Sequence, residues 1–508
     1  MDIETLIRES KADEMSSELG IKTESGKAQF LKQVRLFSAH VPSLQRRQNT
    51  ILAMREVLTN DPSLKKTFDS AFQSIAATET KLQTFFTESP VEKDSFEQLT
   101  FSAWKWANAV NAIPFALLAL SFFKIYIVPA FALMTPIFML LMPYIILRYW
   151  YSLQITGAQY FDLLFRMAGL HGGELFTPKN MLQSAITLFS IGQGIYQPIQ
   201  NAIHLKTVNV DLIGKGEAVE KFAQELEHIC SLMPEQLRPK SPLDDVVGQK
   251  DPHRHFATTW DNVFRLHIAL QIVGDLEVVY RLAAYDTLKK VRFQTRDEPC
   301  LLIRGGVDPF LKAETRVPFD IRFVSTKSHH AILTGPNRGG KSSVLRSTLL
   351  SVLFAQTFGL GFLDDESMFH LRPFDWISTG LRLEDRPGKI SMFESEVEFA
   401  TQILNIASSN KDKVGLVLFD ELFHSTNPPD GAHTASIFLR RLWNQKNVAS
   451  FISTHVFDLA LSSPPHVQRL CVPAVKDENG KLTFTYTLKS GVCEVSSVEL
   501  ILKEKGLI

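Results

Sequence analysis

The 508-residue chain is long enough for several domains, and its 54 Lys+Arg against 54 Asp+Glu leave no net charge. That balance excludes a surface built for broad duplex binding, so any nucleic-acid contact must be local. The four cysteines, Cys230, Cys300, Cys471 and Cys493, are far apart and form no CxxC pair, which argues against a zinc site or disulfide framework and fits a reducing compartment.

The N-terminus, MDIETLIRES, has acids among its first residues and no apolar core segment, so a cleavable signal peptide is not expected. Pro42-Ser43 precedes a run with apolar Leu44, Ile51, Leu52 and Val57; Asp61-Pro62-Ser63 precedes another with Leu64, Phe68, Phe72 and Ile75. Both patterns predict a capped amphipathic helix.

From Ala107 to Leu147 the only charged residue is Lys124, and Ile125–Leu147 gives 23 uncharged residues. That length crosses a bilayer core of roughly 30 Å as a helix. The preceding stretch, 104–123, is long enough to cross back, so the pattern predicts a transmembrane helical hairpin with both ends on one face. Lys105 and Arg148 flank it, and Trp104, Trp106, Tyr149, Trp150 and Tyr151 resemble interfacial anchors, giving lipid contact through Trp104–Tyr151. The alternatives are a re-entrant loop and a pair of buried helices in a soluble core. Gln183–Ile203 is apolar but punctuated by Gly192, Gly194 and Pro198, so no third crossing is expected. A helix is predicted over Lys215–Cys230, a loop over Leu237–Arg254, and a helix from Ala257 to about Val291. After Pro309, strands and helices alternate as in an α/β domain.

The segment Gly335-Pro-Asn-Arg-Gly-Gly-Lys341-Ser342 fits G-x-x-x-x-G-K-[ST]. The apolar Ala331-Ile332-Leu333 leads in as a strand and a helix leads out. Glycines there let the loop turn its amides inward, and the helix N-terminus adds donors for phosphate. Gly335, Pro336, Asn337, Gly339, Gly340, Lys341, Ser342 and Ser343 would cradle ATP, with Lys341 on the β/γ-phosphates and Ser342 on Mg²⁺. Val414–Phe419 reads as a buried parallel strand ending in Asp420-Glu421. Asp420 would hold Mg²⁺ through water, and Glu421 would polarise the attacking water. The strand Val448–Ser453 ends in Thr454-His455, with His455 expected to sense the γ-phosphate.

These residues resemble the MutS family. Thr334-Gly-Pro-Asn-Arg-Gly-Gly-Lys-Ser342 is similar to its TGPNxGGKS, with Arg338 where methionine is usual. Ser391-Met-Phe393-Glu-Ser-Glu396 resembles its signature segment, which implies that Ser391 reaches the γ-phosphate bound by a partner subunit. Asp420–Gly431 has the length and ends of the family's DE-to-DG segment, although Pro428-Pro429 departs from it. Arg46-Arg47-Gln48, Asp275–Val279 and Arg281–Ala283 resemble elements of the family's core helices. Asp308 stands where its GRHP-like turn has histidine.

The resemblance implies an α-helical, MutS-core-like region followed by an α/β P-loop NTPase domain with a mostly parallel sheet. The expected domains are core helices (1–103), the membrane hairpin (104–151), a helical or irregular connector (152–254), a helix leading to the ATPase (255–300) and the ATPase domain (301–508). A homodimer with composite ATP sites is implied, with double-stranded DNA as a partner and Asp430 near the interface. Arg46 and Arg47 are the candidates for nucleic-acid contact. No Phe-x-Glu mismatch-reading element is found, and the apolar hairpin lies where the family inserts its DNA-holding lever and clamp. The expected location is a membrane, with the ATPase domain in the cytoplasm or an equivalent reducing compartment, and the alternative function is a membrane-tethered motor acting on a membrane or protein partner without mismatch recognition. A transporter ATPase subunit fits less well, because its LSGGQ segment is absent.

Overall fold

A computed structural model of the chain describes residues 3–87, 90–101, 108–167, 178–324, 329–381, 391–476, 482–495 and 502. The chain opens with α1 (Ile3–Ser10), α2 (Met15–Glu18), α3 (Glu24–Arg35), α4 (Val41–Asn60) and α5 (Ser63–Thr87). The Thr23 hydroxyl caps α3 by accepting from Gly26 N at 2.8 Å. Pro42 stands in the first turn of α4, which buries Leu44, Gln48, Ile51, Met54 and Leu58. Asp61 Oδ1 accepts from Ser63 N at 3.0 Å where α5 begins. Phe68, Phe72 and Ile75 of that helix are fully buried, as their spacing predicts.

After α6 (Pro90–Glu97) and α7 (Asn108–Asn111) the predicted hairpin is replaced by something simpler. Helices α8 (Ala116–Phe122) and α9 (Val128–Ile145) join through a π-helical turn, Phe123–Ile127, and a second one, Ile146–Trp150, extends them. The result is one 35-residue helix, Ala116–Trp150, with mean hydropathy 2.2 in its most apolar window, of which 6% is buried. Lys124 sits inside the π-helical turn and its ammonium reaches the Gln98 carbonyl. A single charge is no turn signal: without glycine or a capping residue beside it the helix ladder continues. Among the described residues this is the one helix long and apolar enough to cross a membrane. Trp104, Lys105 and Trp106 lie outside the described residues.

Helix α10 (Gly157–Met167) is followed by α11 (Pro178–Leu232), 55 residues long and continuous through Gly192, Gly194 and Pro198. The helix expected over Lys215–Cys230 is the last part of it, and it runs unbroken through the segment that was not expected to cross a membrane. One proline removes one donor, and glycine lowers propensity without supplying a stop. The predicted helix over 257–291 is two helices, α12 (Pro252–Asp261) and α13 (Val263–Ala284). Strands then begin well before Pro309: β1 (Leu288–Lys290), β2 (Arg292–Phe293), β3 (Leu301–Gly306) and β4 (Phe319–Phe323). They are followed by β5 (His330–Thr334), α14 (Lys341–Phe358), β6 (Leu360–Leu371), β7 (Trp376–Gly380), α15 (Met392–Ser409), β8 (Gly415–Phe419) and α16 (Pro428–Trp443). The rest is β9 (Val448–Ser453), α17 (Phe457–Leu461), β10 (Val467–Cys471), β11 (Ala474–Lys476), β12 (Leu482–Phe484) and β13 (Lys489–Ser490).

Two compact units result. One comprises Gln73–Ser231 and Pro239–Leu270. Its ring cluster of Phe85, Phe96, Phe256 and Trp260 forms a small core, while Phe131, Ile137, Phe138, Met139, Tyr149 and Trp150 of the apolar helix are all exposed.

The other unit comprises Met1–Phe72, Leu232–Arg238 and Gln271–Ile508. Its six-stranded sheet has the order β13-β10-β5-β9-β8-β7, parallel except for β13. A second sheet, β1-β6-β3-β4 with β2 beside β6, is antiparallel apart from β2 with β6. The sheet content is therefore mixed rather than mostly parallel throughout. Alternation decides the layers of the six-stranded sheet: Ala331, Leu333, Leu416 and Leu418 enter one buried cluster, and Ile332, Val417 and Phe419 enter another.

Helices from the start of the chain lock onto this unit by buried polar bonds. Gln48 Nε2 donates to Val291 O at 2.8 Å and to Gly359 O, and Arg47 Nη1 donates to Thr357 O at 3.0 Å. Arg47, read as a nucleic-acid candidate, is thus engaged with backbone. The Arg55 guanidinium gathers the Leu282, Ala283, Tyr285 and Leu288 carbonyls at the end of α13. Glu277, fully buried, accepts from Lys22 N, Thr23 N and Thr23 Oγ1. Leu6 of α1 joins the sheet core, and Glu9 Oε2 accepts from Thr379 Oγ1 at 2.7 Å and Leu381 N at 2.9 Å, at the edge strand β7.

Candidate nucleotide site

The glycine-rich loop joins the buried strand β5 to α14, which starts on Lys341 itself. Two glycines are required by geometry. A Cβ at Gly335 would stand 2.8 Å from Val472 O, and Gly340, the helix N-cap, has φ +97°. The loop and the first turn of α14 open onto a cavity of about 580 Å³ lined by Asn337, Gly339, Gly340, Lys341, Ser342, Ser343 and Glu421. Helix amides at that end have no intrahelical acceptor, so anions are favoured there.

Lys341 Nζ donates to Gly335 O at 3.0 Å and Pro336 O at 3.1 Å, folded back onto its own loop. Burial pushes its ammonium below the usual lysine range, while Glu421 and Asp420 pull the other way. A buried cation whose partners are mainly carbonyls gains from an incoming polyanion.

The two acids leave the end of β8 in different directions. Glu421 has φ +53° and lines the loop cavity. Asp420 lines a smaller neighbouring cavity of about 270 Å³, which Glu421, Glu396, His424 and Met392 also border. The Ser453 hydroxyl, at the end of β9, donates to Asp420 Oδ1 and accepts from Glu421 N at 3.0 Å. His455 Nε2 lies 2.9 Å from Glu421 Oε1. That bond holds the Glu421 carboxyl below the ordinary glutamate range, aided by His455, Lys341 and His424 charges and opposed by burial.

Ser391 is the exposed N-cap of α15, in a capping box with Glu394: Glu394 N donates to Ser391 Oγ at 3.2 Å and Ser391 N to Glu394 Oε2 at 2.9 Å. It lines neither cavity. Asn427 caps α16, and Pro428-Pro429 falls in its first turn, where proline is favoured. The two prolines that departed from the expected pattern thus begin a helix, with Asp430 exposed in its first turn.

Three contributors escaped the sequence reading. Ser453 was read only as a strand end. Tyr486, also on the cavity wall, belongs to no motif. Asp308, at the anomalous turn, is buried and paired with Arg346 at 2.7 Å on α14, and borders the same cavity.

Residues 331–501 match the family model for MutS domain V. The chain is 30% identical over 241 residues to the DNA mismatch repair protein MutS of Geobacillus thermodenitrificans, covering 46% of this chain and 25% of that protein. It is 32% identical over 229 residues to MutS of Thermus aquaticus, covering 44% and 26%. It is also 32% identical over 240 residues to Endonuclease MutS2 of Lactococcus lactis subsp. cremoris, covering 46% and 30%. The matched stretch thus spans between a quarter and a third of the length of these relatives.

Proposed function

We propose that this chain is a MutS-like ATPase that hydrolyses ATP at composite sites of a homodimer and uses the cycle to drive conformational change. The observation that carries it is the shared wall of one cavity: Lys341, Ser342 and Glu421 face the same space. The residues suit a magnesium nucleotide. The loop amides and Lys341 bind and orient phosphate, the glycines leave room for it, and Ser342 with Asp420 would hold Mg²⁺, which supplies charge neutralisation at the phosphates. Glu421, kept ionised by His455, accepts a proton from water positioned against the terminal phosphate. His455 orients that carboxylate, and Ser391 completes the partner's site. The test is steady-state hydrolysis by Lys341→Ala, expected to fall about 10²-fold or more, in line with losing a preorganised charge. Intact hydrolysis would end the reading. Ser391→Ala chains should regain activity when mixed with a Lys341→Ala chain.

DNA is the partner that the relatives' names suggest, and the double-stranded form is the one proposed here. With Arg47 engaged on Thr357 O and no net charge, such binding would have to be local. Titration at low and high salt tests it, since phosphate contacts weaken steeply with salt.

The exposed 35-residue helix favours a second element: membrane anchoring, with the motor in the cytoplasm or an equivalent reducing compartment and acting on lipid or a protein partner. The helix spans about 52 Å at 1.5 Å per residue, more than a bilayer core of about 30 Å needs.

A further inference from the structure

The loop after β8 holds an unfavourable shape and is gripped from outside. Glu421 and Phe423 both lie in the left-handed region, at φ +53° and +55°, which costs non-glycine residues and persists only where surroundings enforce it. The enforcement comes from α15. Glu396 on that helix is fully buried and accepts from the Ser425 hydroxyl through Oε2, while its Oε1 accepts no hydrogen bond and lies 3.2 Å from His424 Nδ1, an ion pair only when that imidazole is protonated. The same imidazole nitrogen donates to Glu421 O at 2.8 Å. The Phe393 and Phe423 rings, 6.2 Å apart, add an apolar contact between helix and loop.

Burying a carboxylate without surface exposure is costly unless it is paired, and a methionine would fill the same space more cheaply. A methionine would not grip the loop. One side chain therefore ties two parts that act in different places: the loop with Glu421, which faces this chain's own cavity, and the helix capped by Ser391.

We propose that Glu396 is a positioning residue that couples the two half-sites of one chain, fixing Glu421 through His424 and Ser425 and fixing Ser391 through α15. A shift of the Glu421 loop on nucleotide binding is then passed to the serine offered to the partner subunit. This rests on the ATPase reading above.

The experiment uses full-length Glu396→Gln, which keeps volume and an acceptor for Ser425 but removes the charge facing His424. The expected result is a kcat lower by about 10- to 100-fold, the scale of a misplaced catalytic group. Binding of a fluorescent ATP analogue should change less than about twofold, because ground-state binding is untouched. His424→Ala, which removes the same contact from the loop side, should give the same split, with thermal melting of both variants checking that the fold is kept. In mixed dimers, Glu396→Gln on a subunit already disabled by Lys341→Ala should also slow the neighbouring intact site. Unchanged kcat in both variants overturns the proposal. So does an effect confined to the subunit that carries Glu396→Gln. Hydrolysis that survives Lys341→Ala removes the ATPase reading itself, and this proposal with it.

Discussion

The His455 imidazole and the Glu421 carboxylate meet at 2.9 Å, Nε2 to Oε1, across the ends of neighbouring parallel strands. This contact depresses the Glu421 pKa. A depressed folded-state value means the carboxylate stays ionised further into acid, so the linked stability is complete above the ordinary glutamate range and is lost as pH falls through the lowered value. The acid limb of the kcat profile should therefore lie below the ordinary glutamate range. In His455→Ala that limb should move upward, measured by stopped-time hydrolysis in a series that starts well below the ordinary glutamate range and runs to neutral pH. An unmoved limb would show that the contact does not tune the base.

Glu421→Gln keeps the side-chain shape and removes the carboxylate proposed above as proton acceptor. Hydrolysis should fall by about 10²- to 10⁴-fold, the usual contribution of a general base. Nucleotide should still bind, since Lys341 and the loop are intact. Retained ATP on a filter after gel filtration, with no ADP formed, is the expected observation.

Glu277→Ala removes a fully buried carboxylate that organises the start of α3 and pairs with Arg281 at 3.6 Å. Breaking such a network by deleting one member costs about 3–5 kcal/mol. Thermal melting of the full chain should show a clear drop for the transition of the unit that holds Glu277. A surface control, Glu24→Ala, should leave it in place.

Gln48→Ala should also destabilise, by about 1–3 kcal/mol, because Val291 O loses its buried side-chain donor and Gly359 O keeps only the Val291 amide. Arg46→Ala, one turn face away and exposed, should not. A loss of DNA binding in the arginine variant with unchanged melting would instead revive a nucleic-acid role for that position.

If the apolar helix enters a bilayer, the full chain should sediment with membranes and resist extraction by high salt and by alkaline carbonate. Release by carbonate would mean that Ala116–Trp150 is covered by protein.

The sheet strands β5, β8 and β9 and the loop after β5 were legible because they are local: a short apolar run, then residues whose chemistry depends on adjacency. Capped helices such as α4 and α5 were legible for the same reason. What escaped depends on distance. Glu277, Arg55 and Gln48 bond to partners more than two hundred residues away, and no spacing announces that. Lys124 misled because one charge between two apolar stretches looks like the tip of a hairpin, although lysine is a good helix former and the helix continues on both sides of it. The strands from Leu288 to Gly306 were hidden by short, alternating stretches that look like the continuation of α13.

Glu9 has a consequence at the far edge of the six-stranded sheet. By holding α1 against the end of β7, it covers part of a strand margin that has no neighbour on that side among the described residues. Bare margins recruit strands from other molecules. Trimming α1, or replacing Glu9 with leucine, would leave a sticky border on the β7 side of the layer, and preparations so altered should cloud and self-associate before they unfold.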